Sequence, residues 1–102
     1  MTNLINKEIK LSTQILRALD HPLRQQILTH VGNANNSINV TDLQIKLKNN
    51  PKVTQPIVSQ HLSILRHAKV VTRKTRGKQR YYSVDYKEIE RLESLFKQIS
   101  NN

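Results

Sequence analysis

Cysteine is absent from this sequence. That excludes disulfides, thiolate metal sites and thiol redox sensing in one step. Tryptophan is absent too, and three tyrosines and one phenylalanine are the whole aromatic content. With 36% hydrophobic residues among 102, the chain is globular but lean, near the lower end of what buries a comfortable core alone. Association with a second chain would help it. No apolar run approaches the roughly 20 residues of a membrane span. The N-terminal MTNLINKEIK alternates polar and apolar residues and lacks the uninterrupted apolar segment of a secretory signal. These absences predict a single cytoplasmic domain over residues 1–102.

Acid is the next thing missing. Between Asp42 and Asp85 there is no carboxylate, while ten cations fall in that interval: Lys46, Lys48, Lys52, Arg66, Lys69, Arg73, Lys74, Arg76, Lys78 and Arg80. The other seven basic and seven acidic residues cancel, so these ten account for the whole net charge of +10. A neutral frame around a basic centre is the asymmetry expected of a protein that meets a polyanion. A membrane-lying helix would carry cations on one face and large apolar residues on the other. Here the cations are densest where the pattern is not helical, which favours nucleic acid over a lipid surface.

The periodicity supplies the elements. Ile5, Ile9, Ser12, Leu16 and Leu19, with Ile15 beside them, predict an amphipathic helix over 4–19. Pro22 suits the first turn of a second helix through Val31, with Ile27, Leu28 and Val31 inward and Gly32 ending it. NANNSIN then reads as a polar loop. Thr41-Asp-Leu-Gln44 matches a capping box and predicts a short helix through about Lys48, broken by Asn49, Asn50 and Pro51. Thr54 is a good N-cap for a fourth helix over 54–68. At 100° per residue, Ile57, Val58, His61, Leu62, Ile64, Leu65 and Ala68 fall on one arc of it. Gln55, Pro56, Ser59, Gln60, Ser63, Arg66 and His67 fall on the other. VVTRKT and QRYYSV, rich in β-branched and aromatic residues and separated by Gly77, predict a two-stranded hairpin with one of Tyr81 and Tyr82 turned inward. Asp85-Tyr-Lys-Glu88 is a second capping box, opening a last helix with Ile89, Leu92, Leu95, Phe96 and Ile99 on one stripe.

The predicted fold is therefore mainly α with a small β-hairpin, in the order α-α-α-α-β-β-α. A short helix, a turn and a helix with an exposed Gln and Ser face fit a winged helix-turn-helix, whose second helix enters the major groove. Gln and Ser can bond to base edges there, while a cationic hairpin lies along phosphates and supplies salt-dependent affinity. The predicted partner is double-stranded DNA. Thr54, Gln55, Ser59, Gln60 and Ser63 are the candidate reading residues. Arg66, Arg73, Lys74, Arg76, Gly77, Lys78 and Arg80 are the candidate wing and phosphate contacts. Apolar stripes at both chain ends of so small a domain suggest a dimer through Ile5, Ile9, Leu16, Ile89, Leu92, Phe96 and Ile99.

ALDHPLRQQIL (Ala18 to Leu28), VSQHLSILRHAKVV (Val58 to Val71) and RGKQRYYSV (Arg76 to Val84) resemble the ArsR/SmtB-type winged-helix transcriptional regulators of bacteria, over about residues 15 to 86. The resemblance implies a homodimer joined through its first and last helices and binding a roughly palindromic operator. It also implies that Gln55, Val58, Ser59 and Gln60 approach the bases, with Arg76, Gly77 and Lys78 at the wing tip. The family's sensing sites do not carry over. Where it has a Cys-Val-Cys-Asp-Leu metal motif this chain has Asn39-Val40-Thr41-Asp42-Leu43, and where it has Asp-x-His this chain has Asp85 followed by Lys87.

Other chemistries are weaker readings. His61 sits within the apolar arc and His67 opposite it, so the two cannot share an ion. His21 reads as a helix-start residue and His30 as a surface one, and neither a metal nor another cofactor is expected. Ser59 and His61 point roughly 200° apart and no oxyanion loop accompanies them, so no enzyme is expected. A winged helix that grips nucleic acid without sequence preference remains a rival, as does an activator or anti-repressor of the same fold. A protein-binding winged helix would expose an apolar patch in place of the cationic hairpin.

Overall fold

Val58, Leu62 and Leu65 follow one another at spacings of four and three residues, which is one face of a helix, and none of the three has any exposed surface. The rest of the molecule is arranged around that face. The structure, a computed structural model, describes the backbone of residues 2–47 and 52–100 and the side chains of 6–47, 52–95, 97 and 98. Its elements are α1 (Thr2–Leu19), α2 (Pro22–Asn33), α3 (Val40–Lys46), α4 (Gln55–His67), β1 (Val71–Arg76), β2 (Gln79–Val84) and α5 (Tyr86–Ser100). This is the predicted winged helix-turn-helix, five helices with one antiparallel hairpin. The core joins Ile15 and Ala18 of α1, Ile27 and Val31 of α2, Leu43 of α3, the three α4 residues, Val71, Tyr82 and Val84 of the hairpin, and Leu92 of α5. Each fully buried aliphatic side chain contributes about 1.5–3 kcal/mol.

The joints differ from the sequence reading in instructive ways. Gly32 does not end α2, which continues to Asn33 and stops at Ala34, whose N–H donates to the carbonyls of His30 and Val31. A Cβ at position 32 would lie 3.0 Å from the hydroxyl of Tyr86, the far end of a side chain that is 51% exposed. The reversal falls to Asn35 and Asn36, at φ 57° and 56°, the left-handed region that asparagine tolerates. Nor is the following segment only a loop. Ile38 is buried and exchanges both backbone hydrogen bonds with Tyr82, 3.1 Å and 2.8 Å, adding a one-residue bridge to the hairpin's edge. The capping box at Thr41 does not form; Asn39 caps α3 instead, its Oδ1 accepting from the Asp42 amide at 2.8 Å. The helix ends at Lys46, and the breakers Asn49, Asn50 and Pro51 lie outside the described residues. Half of the second box forms: Asp85 Oδ1 accepts from the Lys87 amide at 3.1 Å, but Glu88 pairs with Arg91 and the Asp85 amide donates to Val70 O.

The exit from α4 sets the direction of the hairpin. Val70 N–H donates to Leu65 O and Lys69 N–H to Arg66 O, the two bonds of a Schellman motif. Lys69 takes the left-handed position at φ 67°, where glycine is the usual residue, and the burial of Val70 and Leu65 holds it there. At the far end, Asn36 Oδ1 accepts from Val84 N at 2.7 Å and its amide donates to Val84 O at 3.1 Å. No helix among the described residues is long and apolar enough to cross a membrane.

Asn36 thus satisfies both backbone groups of a buried strand residue. Asn36→Ala leaves both unpaired and forfeits asparagine's tolerance of positive φ, so chemical denaturation of this variant is expected to show a loss of about 2–3 kcal/mol.

Candidate nucleic-acid interface

Thr54 stands at the N-cap of α4 with an extended backbone, but its hydroxyl makes no capping bond, and Pro56 in the first turn needs no amide partner. From there the helix exposes Gln55, Ser59 and Gln60, with Ser63 half-buried one turn later. Val58, assigned to the bases by resemblance, is instead 0% exposed and belongs to the buried cluster that also holds Leu43 and Leu62. Ile64 departs from the inward arc in the other direction and is 36% exposed.

The wing follows from its register. Val71 faces Val84 and Arg73 faces Tyr82 at the root, and Arg76 faces Gln79 at the tip, leaving Gly77 and Lys78 as a two-residue turn. Gly77 has φ 62°, the positive value that the first residue of a type II′ hairpin turn requires. Tyr82 is the buried member of the tyrosine pair. Tyr81 lies beneath Arg76, whose guanidinium carbon is 5.6 Å from the ring centroid, a cation–π contact that stiffens the tip without neutralising it. Residues 72–80 are all exposed.

Helix and wing share a concave surface. A cleft of about 430 Å³ is lined by Asn39, Val40 and Thr41 at the start of α3, Ser59 of α4, and Lys78, Gln79 and Arg80 of the wing. Gln79 ties its walls together: its Oε1 accepts from Asn39 Nδ2 at 3.1 Å and from the Tyr81 hydroxyl at 2.9 Å. Gln55 Nε2 donates to Thr41 Oγ1 at 3.4 Å across the turn. Asn39, Thr41 and Gln79 were not singled out from the sequence. Polar residues beside a turn are too common there to signal a role, and only the fold brings them to α4.

The remaining candidates divide. Arg66 and Arg73 line a recess with Lys69, Asp85 and Glu88, so the carboxylates that flank the acid-free segment return in space to offset part of its charge. Lys74, Arg76, Lys78 and Arg80 sit farther along the hairpin, apart from that recess. Of the candidate dimer residues, Ile9 and Leu16 are 43% and 41% exposed on one side of α1, whereas Leu92 is buried in the chain's own core and Ile89 packs against that core. The side chains of Ile5, Phe96 and Ile99 lie outside the described residues.

Behind α4 lies a cationic knot. Arg24 Nε donates to His61 Nδ1 at 3.2 Å, and its Nη1 donates to the carbonyls of Arg17 and Ala18 that end α1. The His21 ring stands 4.7 Å from that of His61, centroid to centroid, and its Nδ1 caps α2 by accepting from Leu23 N. Burial, then the proximity of His21 and Arg24, holds the His61 pKa below its ordinary 6.5. No group of three or more His, Cys, Asp or Glu suited to a metal ion occurs among the described residues. With the folded-state value depressed, the unfolded chain takes up the proton first. His61 therefore costs nothing above pH 6.5 and destabilises the fold as pH falls below it. Thermal melts from pH 7.5 to 5 are expected to show a decline beginning near 6.5 that is smaller in His61→Gln.

No family model matches the chain. A protein of Halobacterium salinarum named as an arsenical resistance operon repressor, ArsR2, is 38% identical over 69 residues, 68% of this chain. The chain spans only about half of that relative, 55% of its length. Among solved structures, an ArsR-like transcriptional regulator from Rhodococcus sp. RHA1 superposes with a TM-score of 0.80 at 20% identity, over 91% of this chain and 82% of that one. The transcriptional repressor PagR of Bacillus anthracis gives 0.70 at 28% identity, over 88% and 98%. Each of these is named as a regulator or repressor, not as an enzyme. Fold, motif order and relatives together make this chain a winged helix-turn-helix protein similar to the ArsR/SmtB-type regulators.

Proposed function

We propose that the protein is a sequence-specific transcriptional regulator, a homodimeric repressor that reads an inverted-repeat operator in the cytoplasm. The observation that carries this reading is the shared concave surface, where the Ser59 face of α4 and the cations Lys78 and Arg80 of the wing converge on one side of the molecule. Helix α4 supplies uncharged donors and acceptors suited to base edges. The hairpin supplies fixed positive charge that draws in phosphate and orders it along the groove. The names of the relatives as repressors support the direction of regulation.

The dimer rests on shape and exposure. The radius of gyration is 15.2 Å, against about 13 Å for a compact domain of this length. The Ile9 and Leu16 stripe of α1 adds an exposed apolar surface, 43% and 41% accessible at the two residues. Two such protomers would place their α4 helices at half-sites one helical turn apart, so affinity depends on the angle between them.

Selection from a randomised duplex pool across a salt series tests the reading. An inverted repeat is expected to emerge, with a steep salt slope; a steep slope without enrichment assigns the wing to backbone binding alone, and no binding at low salt removes nucleic acid from the account. On the selected site, Ser59→Ala with Gln60→Ala is expected to cost sequence preference, each lost base contact being worth about 1–3 kcal/mol. Arg76→Ala with Lys78→Ala is expected to lower the slope of log K against log salt by about 1.8 while sparing preference. For the dimer, Leu16→Asp is expected to weaken self-association at least about 100-fold by sedimentation, roughly 2.7 kcal/mol, with the circular dichroism spectrum unchanged.

A further inference from the structure

A groove of about 380 Å³ runs between α1, α2 and the C-terminal half of α4, on the side where α4 turns Ile64 outward. Its lining sorts by chemistry: Ala18, Ile64 and Ala68 form an apolar floor, Arg17, Arg24 and His67 are basic, Gln14 is neutral, and no carboxylate takes part. The volume falls within the range of small-molecule pockets, which pair an apolar lining with a few fixed polar groups.

Arg24 is the fixed group. Its bonds to His61 Nδ1, Arg17 O and Ala18 O use Nε and Nη1 and leave Nη2 without a partner among the described residues. A guanidinium already held in plane loses little freedom when it binds a carboxylate. The Arg17 side chain is exposed and makes no ion pair among the described residues, so it is free to close on the same anion. His67 is held at the opposite end, its Nδ1 donating to Ser63 O at 2.7 Å. The floor of the groove faces away from the apolar stripe of α1: at 100° per residue, Ala18 lies about 180° from Ile9 and 160° from Leu16, while Arg17, at the rim, also lines the recess beside Leu16.

We propose that this groove binds a small organic anion, an aromatic or short alkyl carboxylate whose apolar body lies on Ala18, Ile64 and Ala68 and whose acid group meets Arg24 and Arg17. Charge complementarity selects the acid over a neutral analogue, and the apolar floor selects a carbon skeleton over an inorganic ion. Occupancy would fasten α4 to the end of α1. The site stands on its own lining and does not depend on DNA binding.

The test is titration of the full chain with 1-naphthoate and, separately, with the neutral 1-naphthalenemethanol, followed by methyl NMR. Naphthoate is expected to bind with a sub-millimolar Kd and to shift the Ile64, Ala18 and Ala68 methyls, the alcohol at least about tenfold more weakly. Arg17→Gln is expected to weaken naphthoate about fivefold, a change of about 1 kcal/mol, with the melting temperature unaltered, and Lys74→Gln on the wing to leave its affinity unchanged. Equal binding of acid and alcohol would overturn the proposal. So would methyl shifts centred on Ile9, no shifts at all, or a loss in Lys74→Gln matching that in Arg17→Gln, which would reduce the interaction to diffuse charge.

Discussion

Helix α4 buries Val58, Leu62 and Leu65 completely while Ser59 and Gln60, between Val58 and Leu62 in sequence, stay exposed. That division constrains everything else. The buried side must be covered, and α1, α2, α3 and β1 all pack against it; the wet side must be left clear, and among the described residues Gln55, Ser59 and Gln60 stay exposed there. Since helix position alone decides which residues fall on each side, a rotation of α4 by one residue would put Ser59 at the buried position of Val58 and Leu65 at the exposed position of Ile64. The aliphatic burial that stabilises the fold is thus the same interaction that aims the polar face, and stability and orientation cannot be varied separately along this helix.

Charge obeys a different geometry from the one its linear distribution suggests. In sequence, forty-two residues pass without an acid between Asp42 and Asp85. In space, Asp85 and Glu88 line one recess with Arg66, Lys69 and Arg73 at the base of the hairpin. The field that remains is carried outward along the ribbon, where Tyr81 supports Arg76 and the Gln79 bonds hold the wing against α3. Positive charge is concentrated at the end of a rigid arm and partly neutralised at its root.

The order of elements, the inward arc of α4 and the hairpin around Gly77 were all legible in the sequence, because each rests on periodicity or on a residue with a unique backbone preference. The joints were less so. Thr41 and Asn39 are both competent caps two residues apart, and only the closing of the helix against α4 decides between them. Gly32 looked like a stop signal because glycine usually is one, yet α2 runs on to Asn33, and the group nearest Gly32 is the hydroxyl of Tyr86, a residue 54 positions away. Ile38 shows no strand signal, since a single bridging residue has no periodicity to detect. In the candidate site, the exposed Gln and Ser residues could be read from a helical wheel, and the same wheel already placed Val58 inward. Its assignment to the bases came from resemblance, and its burial shows that a position matched by motif need not present its side chain. Asn39, Thr41 and Gln79 were invisible for the reason the joints were: their part is defined by long-range contacts.

The elbow between α4 and the hairpin has a mechanical consequence. Lys69 and Val70 lock the end of the helix through two backbone bonds, the Asp85 amide returns to Val70 O, and Asn36 pins the opposite strand at Val84. With its root fastened on both strands, the wing cannot swing independently of α4, and the two behave as one lever. Compliance is therefore displaced to the long terminal helices, so that in any assembly of this chain the gearing between copies, and not the grip of each copy, is the adjustable part.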